Sequence, residues 1–211
     1  MLKKTLLVCG IFSSLLYAAM TLLIPLLWKE YDSASQTVSE LSAIGAPTRA
    51  VWVPLGMLYI LLFAAFGWGV LKTANGNRHL RTTGFIILVY SAINLYWPPM
   101  HLRGHEMTLT DTLHIVWAGM ALLLMLLLMG FGAAALGRQF RLYTLLTVAV
   151  HVVFGILTGI EGPGIAANLP TPTIGIWERI NIGAFMLWVA VLAIVLLRRE
   201  KTYLRSPFTS P

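Results

Sequence analysis

The residues able to do chemistry gather in one stretch, Pro98–His114, which reads PPMHLRGHEMTLTDTLH. It holds three of the chain's five histidines together with Arg103, Glu106 and Asp111. Three imidazoles and a carboxylate suit zinc, whose structural sites take four ligands and whose catalytic sites keep one position open. The ligands would be His101, His105 and His114. The spacing matches no strong metal signature, and Gly104 between His101 and His105, with Pro98-Pro99 before them, removes helical HxxxH geometry. The competing reading is a hydrogen-bonded cap in which Asp111 fixes the tautomer of a nearby histidine. Asp111 and His114 are three apart and share a helical face. In a hydrolytic version His114 or His105 is the general base, oriented by Asp111 or Glu40.

Three further places carry polar groups. In Tyr31–Arg49 the spacing of Thr37 and Glu40 is that of a capping box, which predicts a short helix from near Thr37 that stops before Gly45 and Pro47. Glu40 is then a cap partner, or else the helix folds back and aims Ser39, Glu40 and Arg49 at a shared cavity. Glu178 and Arg179 are adjacent, so on a helix they point about 100° apart and need different partners. Glu178 is expected to face the bundle near Arg49 or the histidines, and Arg49 or Arg179 to receive an anionic group. His151 lies about halfway along an apolar segment, where ionisable groups are functional candidates, with Asn94 or Ser91 as its expected hydrogen-bond partner.

The elements that must position these residues follow from composition. Apolar residues make up 58% of the 211-residue chain and charged residues 11%, against roughly a quarter charged in soluble domains. Hydrocarbon must therefore supply much of the solvent. Six segments, about 5–28, 50–71, 83–100, 112–136, 142–160 and 174–197, are long enough to cross it at roughly 20 residues each. The expected fold is all-α: one domain, a polytopic membrane bundle of six transmembrane helices. Met1-Leu2-Lys3-Lys4 could open a signal peptide, but the apolar run continues to Trp28, which points to an uncleaved first helix. Cys9 is the single cysteine, so no intramolecular disulfide is available.

Charge sets the expected orientation. With six spans, one side collects Lys3, Lys4, Lys72, Arg78, Arg81, Arg138, Arg141, Arg198, Arg199, Lys201 and Arg205, and the other only Lys29, Arg49, Arg103 and Arg179. That asymmetry places both termini in the cytoplasm, with the chain in the cytoplasmic (inner) membrane. Seven of the eight acids fall on the opposite, outward side. The net charge of +7 is thus a topological marker with some attraction to the lipid bilayer, and nucleic acid is not a partner. The outward connections (Trp28–Arg49, His101–Asp111, Glu161–Thr173) are longer than the inward ones, so a working site faces outward. The Met120, Met125 and Met129 row reads as packing or lipid-facing surface, and Gly130, Gly132 and Ala133–Ala135 permit close helix approach. No Walker, GxSxG, HExxH or dinucleotide motif occurs.

With these residues laid out, nearly the full length resembles domain-of-unknown-function family 998, six-helix and mostly prokaryotic membrane proteins. The resemblance rests on Ser39-Glu40-Leu41, on a proline-containing end to the third helix followed by His114, and on Gly175-Ile-Trp-Glu-Arg179 with Trp188. In the family an acid often follows the third-helix proline. Here Met100 and His101 follow Pro99, which moves any such role to Asp111. The resemblance implies no established activity. It does imply that Ser39, Glu40, His114, Glu178 and Arg179 are recurring polar positions.

These features lead to an outward site that binds, and in one version hydrolyses or modifies, a lipid head group or small amphiphile. The alternative is a non-enzymatic assembly partner or sensor whose polar cap seals the bundle. A small transporter would need a polar route through the membrane, for which only His151, Asn94 and Ser91 are available.

Overall fold

The computed structural model describes residues 2–205. Met1 and the side chains of Lys201 and Arg205, counted above, lie outside the described residues. The described chain forms six long α-helices: α1 (Leu2–Leu23), α2 (Arg49–Lys72), α3 (Arg78–Asn94), α4 (Leu109–Ala135), α5 (Arg138–Ala166) and α6 (Ile174–Arg205). Each helix packs against the next, and α6 returns to α1, so the six close into a ring. Short links, 73–77 and 136–137, join helices at one end. Long connections, 28–48, 95–108 and 167–173, join them at the other. The middle is aromatic: the Phe63 ring lies 5.4 Å from Tyr90 and 6.2 Å from Phe185, which stacks 6.5 Å from the fully buried Trp188.

Five helices are long and apolar enough to cross a membrane. The exception is α3, whose 17 residues rise about 25 Å. It was expected over 83–100 and instead begins five residues earlier. Asn77 accounts for the start, since its side chain accepts from Leu80 N at 3.0 Å as an N-cap and donates to Ala135 O at 3.0 Å. The end comes at Asn94 because Trp97 and Pro98 each precede a proline, where the α conformation is disfavoured. Backbone contact then joins α3 to α2: a Cβ at Gly84 would stand 2.9 Å from Leu71 N and 3.0 Å from Gly67 O.

Other boundaries move for local reasons. The first helix gives way at Ile24 to a 3-10 turn ending at Leu27. The fifth was expected over 142–160, yet α5 runs to Ala166, with Pro163 in its last turn. Its end is a Schellman motif: Asn168 takes a left-handed φ of 53°, Asn168 N donates to Ile165 O and Leu169 N to Gly164 O. Among the small residues of α4, Gly132 lies under the Trp188 ring, whereas Gly130 faces open space. Met129 is buried, so its row is partly packing surface.

Candidate functional site

The three long connections interlock, and the first of them docks on the start of α6. Gly175 makes the approach possible. Its N–H donates to Ala34 O at 2.9 Å, and a Cβ there would collide with the carbonyl oxygens of Ser33 and Gln36. One helical turn on, Arg179 gathers those carbonyls: Nη1 donates to Ser33 O (2.8 Å), Gln36 O (3.1 Å) and Gly175 O (3.0 Å). Its Nη2 donates to the Tyr31 hydroxyl at 2.6 Å, and that hydroxyl donates to Thr37 O at 2.7 Å. Burial pushes the Tyr31 hydroxyl up to about 12, with the Arg179 hydrogen bond acting in the opposite sense. At the exposed turn after Tyr31, the Ser35 hydroxyl and Ala34 N–H hold the Asp32 carboxyl below its usual range. Glu178 accepts from Val38 N and, at 3.5 Å, from Ser39 Oγ. Adjacent Glu178 and Arg179 therefore do take different partners, both in the first connection.

Glu40 is wholly buried and belongs to two arrangements at once. Its carboxylate accepts from Thr37 N (2.7 Å) and Thr37 Oγ1 (3.0 Å), and Glu40 N donates back to Thr37 Oγ1 at 3.2 Å. This is the reciprocal bonding of a capping box, although the segment it starts is a 3-10 turn, Ser39–Ser42, and not an α-helix. From the second connection Arg103 grips the same carboxylate, Nε to Oε1 at 2.8 Å and Nη2 to Oε2 at 3.1 Å. Arg103 also donates to Thr171 Oγ1 in the third connection (2.8 Å) and to Ser35 O (2.7 Å). The lone pairs of Glu40 are filled from within the protein.

The expected cavity shared by Ser39, Glu40 and Arg49 is not how these residues meet. Arg49 turns back to Ser42 O at the head of its own helix, and Glu178 approaches Val38 and Ser39 instead of Arg49 or the histidines. Helix direction explains this. The connection crosses α6 before it reaches α2, so α6 meets its first half and Arg49 its second.

The histidines form a second group beside the first, joined to it through Arg103 and through Ile44 N to Met100 O at 2.7 Å. Thr108 caps α4 and Asp111 completes the capping box. Asp111 was expected to orient a nearby histidine, His114 or His105 in the hydrolytic version, and the one it reaches is His101. His101 N donates to Oδ1 at 2.7 Å, and His101 Nδ1 lies 3.1 Å from Oδ2. As the N3 residue of a capping box, Asp111 must turn towards the helix start, where His101 lies and His114 does not. The His101 side chain is 26% exposed. The His105 ring, on the exposed bend at Gly104 (φ 91°), is 5.9 Å from it. His114 is buried, with Nδ1 2.8 Å from Pro98 O and 3.1 Å from Trp97 Nε1. Trp97 is half-buried, while Tyr96 is exposed.

The zinc ligand set His101, His105 and His114 does not converge. Nδ1 of His114 is turned to the proline carbonyl and Nδ1 of His101 to Asp111. Among the described residues no three His, Cys, Asp or Glu side chains are placed to hold a metal. His151 is buried in the bundle, and its partner is Asn181 on α6 in place of Asn94 or Ser91. Those two bond the carbonyls of their own helix, at Tyr90 and Ile87.

Sequence reasoning gave no role to Arg103, Tyr31 or Thr171 and did not find the pairing of His101. The one available signal was charge: Arg103 is the only Lys or Arg in the second connection and lies on the acid-rich side. Its partner, 63 positions away, carries no mark of the pairing.

A family described as "Protein of unknown function (DUF998)" matches residues 11–195. No curated protein and no solved structure matches the chain.

Two outcomes are expected. Arg103→Met leaves the Glu40 carboxyl buried without its cation, and lowers unfolding stability by about 3 kcal/mol. Arg103→Met with Glu40→Gln recovers part of that loss, so the double variant unfolds later than Arg103→Met alone. The second outcome concerns pH. The folded Tyr31 value lies above the ordinary 10, so its stabilisation is complete below pH ~10 and lost as pH rises towards ~12. The stability advantage of the native chain over Tyr31→Phe, measured by unfolding at a series of pH values, shrinks across that interval and is constant below it.

Proposed function

The chain belongs to the family described as protein of unknown function (DUF998), matched over residues 11–195, and on that footing we propose its function from its own geometry. It is a six-span protein of the cytoplasmic membrane with both termini inside, α3 included among the spans. Its long-connection end faces outward and binds the polar head group of a membrane amphiphile at His101 and Asp111. Lys and Arg asymmetry supports the orientation.

One observation carries the binding reading. The polar groups docked on α6 are bonded to each other and to backbone carbonyls, whereas the His101–Asp111 pair is partly exposed and keeps the far edge of its imidazole outside that bonding. Asp111 accepts from His101 N, Thr108 N and Thr108 Oγ1 as well, which holds the carboxylate and hence the ring in place. Tyr96, Met107 and Leu109, near the pair in sequence, are exposed, as residues at the boundary of hydrocarbon and water are. A hydrolytic version makes His101 the general base oriented by Asp111, in place of His105 or His114. The bonding around Glu40 and Arg179 favours a second reading, an assembly partner whose sealed cap presents a rigid surface.

Reporter fusions test the orientation: a cytoplasm-only reporter is active at the C-terminus and inactive when inserted between Gly104 and Glu106. Activity at both or neither position contradicts six spans. For binding, the protein is reconstituted with phosphatidylethanolamine and phosphatidylglycerol, extracted in detergent, and its retained lipid measured by mass spectrometry. His101→Gln, which leaves the α4 cap intact, retains about tenfold less, as loss of a charge-assisted contact predicts. Equal retention removes the head-group reading and leaves the assembly partner.

A further inference from the structure

The buried face of α5 is unusually polar for a helix in hydrocarbon. Its buried residues are Phe140, Thr144, Thr147 and His151, and the last three recur at intervals of three and four, along one stripe. Thr144 Oγ1 accepts the indole N–H of Trp188 at 2.9 Å, and Thr147 Oγ1 donates to Tyr143 O at 3.0 Å. His151 is different. Its ring has no exposed surface, and Nε2 has no hydrogen-bond partner among the described residues.

Geometry fixes the ring's position and which nitrogen carries the proton. Asn181 Nδ2 donates to His151 O at 2.6 Å, a close approach that Gly155 permits, since a Cβ there would sit 3.1 Å from that amide nitrogen. In return, His151 Nδ1 lies 3.3 Å from Asn181 O. A carbonyl only accepts, so Nδ1 holds the proton and Nε2 of the neutral ring presents a lone pair. The ring packs 6.2 Å from Phe185, within the aromatic middle of the bundle. A buried acceptor in hydrocarbon is satisfied by another helix, by an internal water or by a ligand.

We infer that the bundle interior beside His151 binds a small neutral guest that donates an O–H hydrogen bond to Nε2. The guest is neutral because a charged donor, such as an ammonium group, would carry its charge into the middle of the bundle. Water and the hydroxyl of an amphiphile share this chemistry. The site is separate from His101–Asp111 and stands whether or not that pair binds a head group.

Solid-state NMR of the full chain, with 15N-labelled histidine and tryptophan and 13C-labelled phenylalanine, tests it in vesicles of phosphatidylethanolamine and phosphatidylglycerol. The His151 ring is assigned through its contact with Phe185. Magnetisation is started on water protons, with deuterated lipid, or on lipid protons, in deuterated water. The expected result is a protonated Nδ1, and an Nε2 that draws magnetisation at least about threefold faster than the Trp188 indole, a control already bonded within the protein. Transfer from water identifies an internal water, and transfer from lipid alone identifies an amphiphile hydroxyl. A protonated Nε2, or an Nε2 that draws from neither source, overturns the inference. His151→Phe, similar in size and needing no donor, should abolish the signal. Should it fail to fold, the native spectrum decides alone.

Discussion

The structure depends on one docking contact, that of residues 31–39 on the first two turns of α6. Carbonyl oxygens turned towards a membrane helix must find donors, because hydrocarbon offers none. Arg179 supplies them to Ser33, Gln36 and Gly175 and holds the Tyr31 hydroxyl as well. Gly175 lets the carbonyls come close enough, and Glu178 accepts the N–H of Val38. Remove the glycine and the loop cannot seat; remove the arginine and the carbonyls of Ser33 and Gln36 lose a donor together with the Tyr31 hydroxyl.

Everything else at that end is built on this seat. Once the connection is held, Glu40 lies inside it with Thr37, and its charge draws in Arg103 from the second connection. Arg103 in turn reaches Thr171 in the third. Arg103 and Arg179 thus tie three loops and one helix into a single bonded layer. Such networks are cooperative, since each bond holds its neighbours in the geometry they need. His101 and Asp111 lie at the edge of this layer and outside its bonding, which leaves His101 partly exposed while Asp111 keeps it oriented.

Much of the fold was legible in the sequence because hydrocarbon is a strict solvent. Long apolar segments, sparse charge and asymmetric Lys and Arg leave few alternatives to a helical bundle, and capping spacings at Thr37–Glu40 and Thr108–Asp111 are local enough to be seen directly. Boundaries slipped where local signals compete. Asn77 starts α3 inside what looked like a loop, and a proline between two glycines sits harmlessly in the last turn of α5.

Pairing was the part that remained hidden. From composition and spacing alone the chain was committed to an all-helical membrane fold, to the polar connections at one end and to separate partners for Glu178 and Arg179. Only the tertiary structure decided that Asp111 serves His101 and not His114, that Glu40 meets Arg103, and that His151 meets Asn181. The reason is physical. Burial, caps and helix length depend on neighbours within a turn or two, which the sequence displays. A hydrogen bond between helices depends on rotation and depth, which are set only when the ring of six closes.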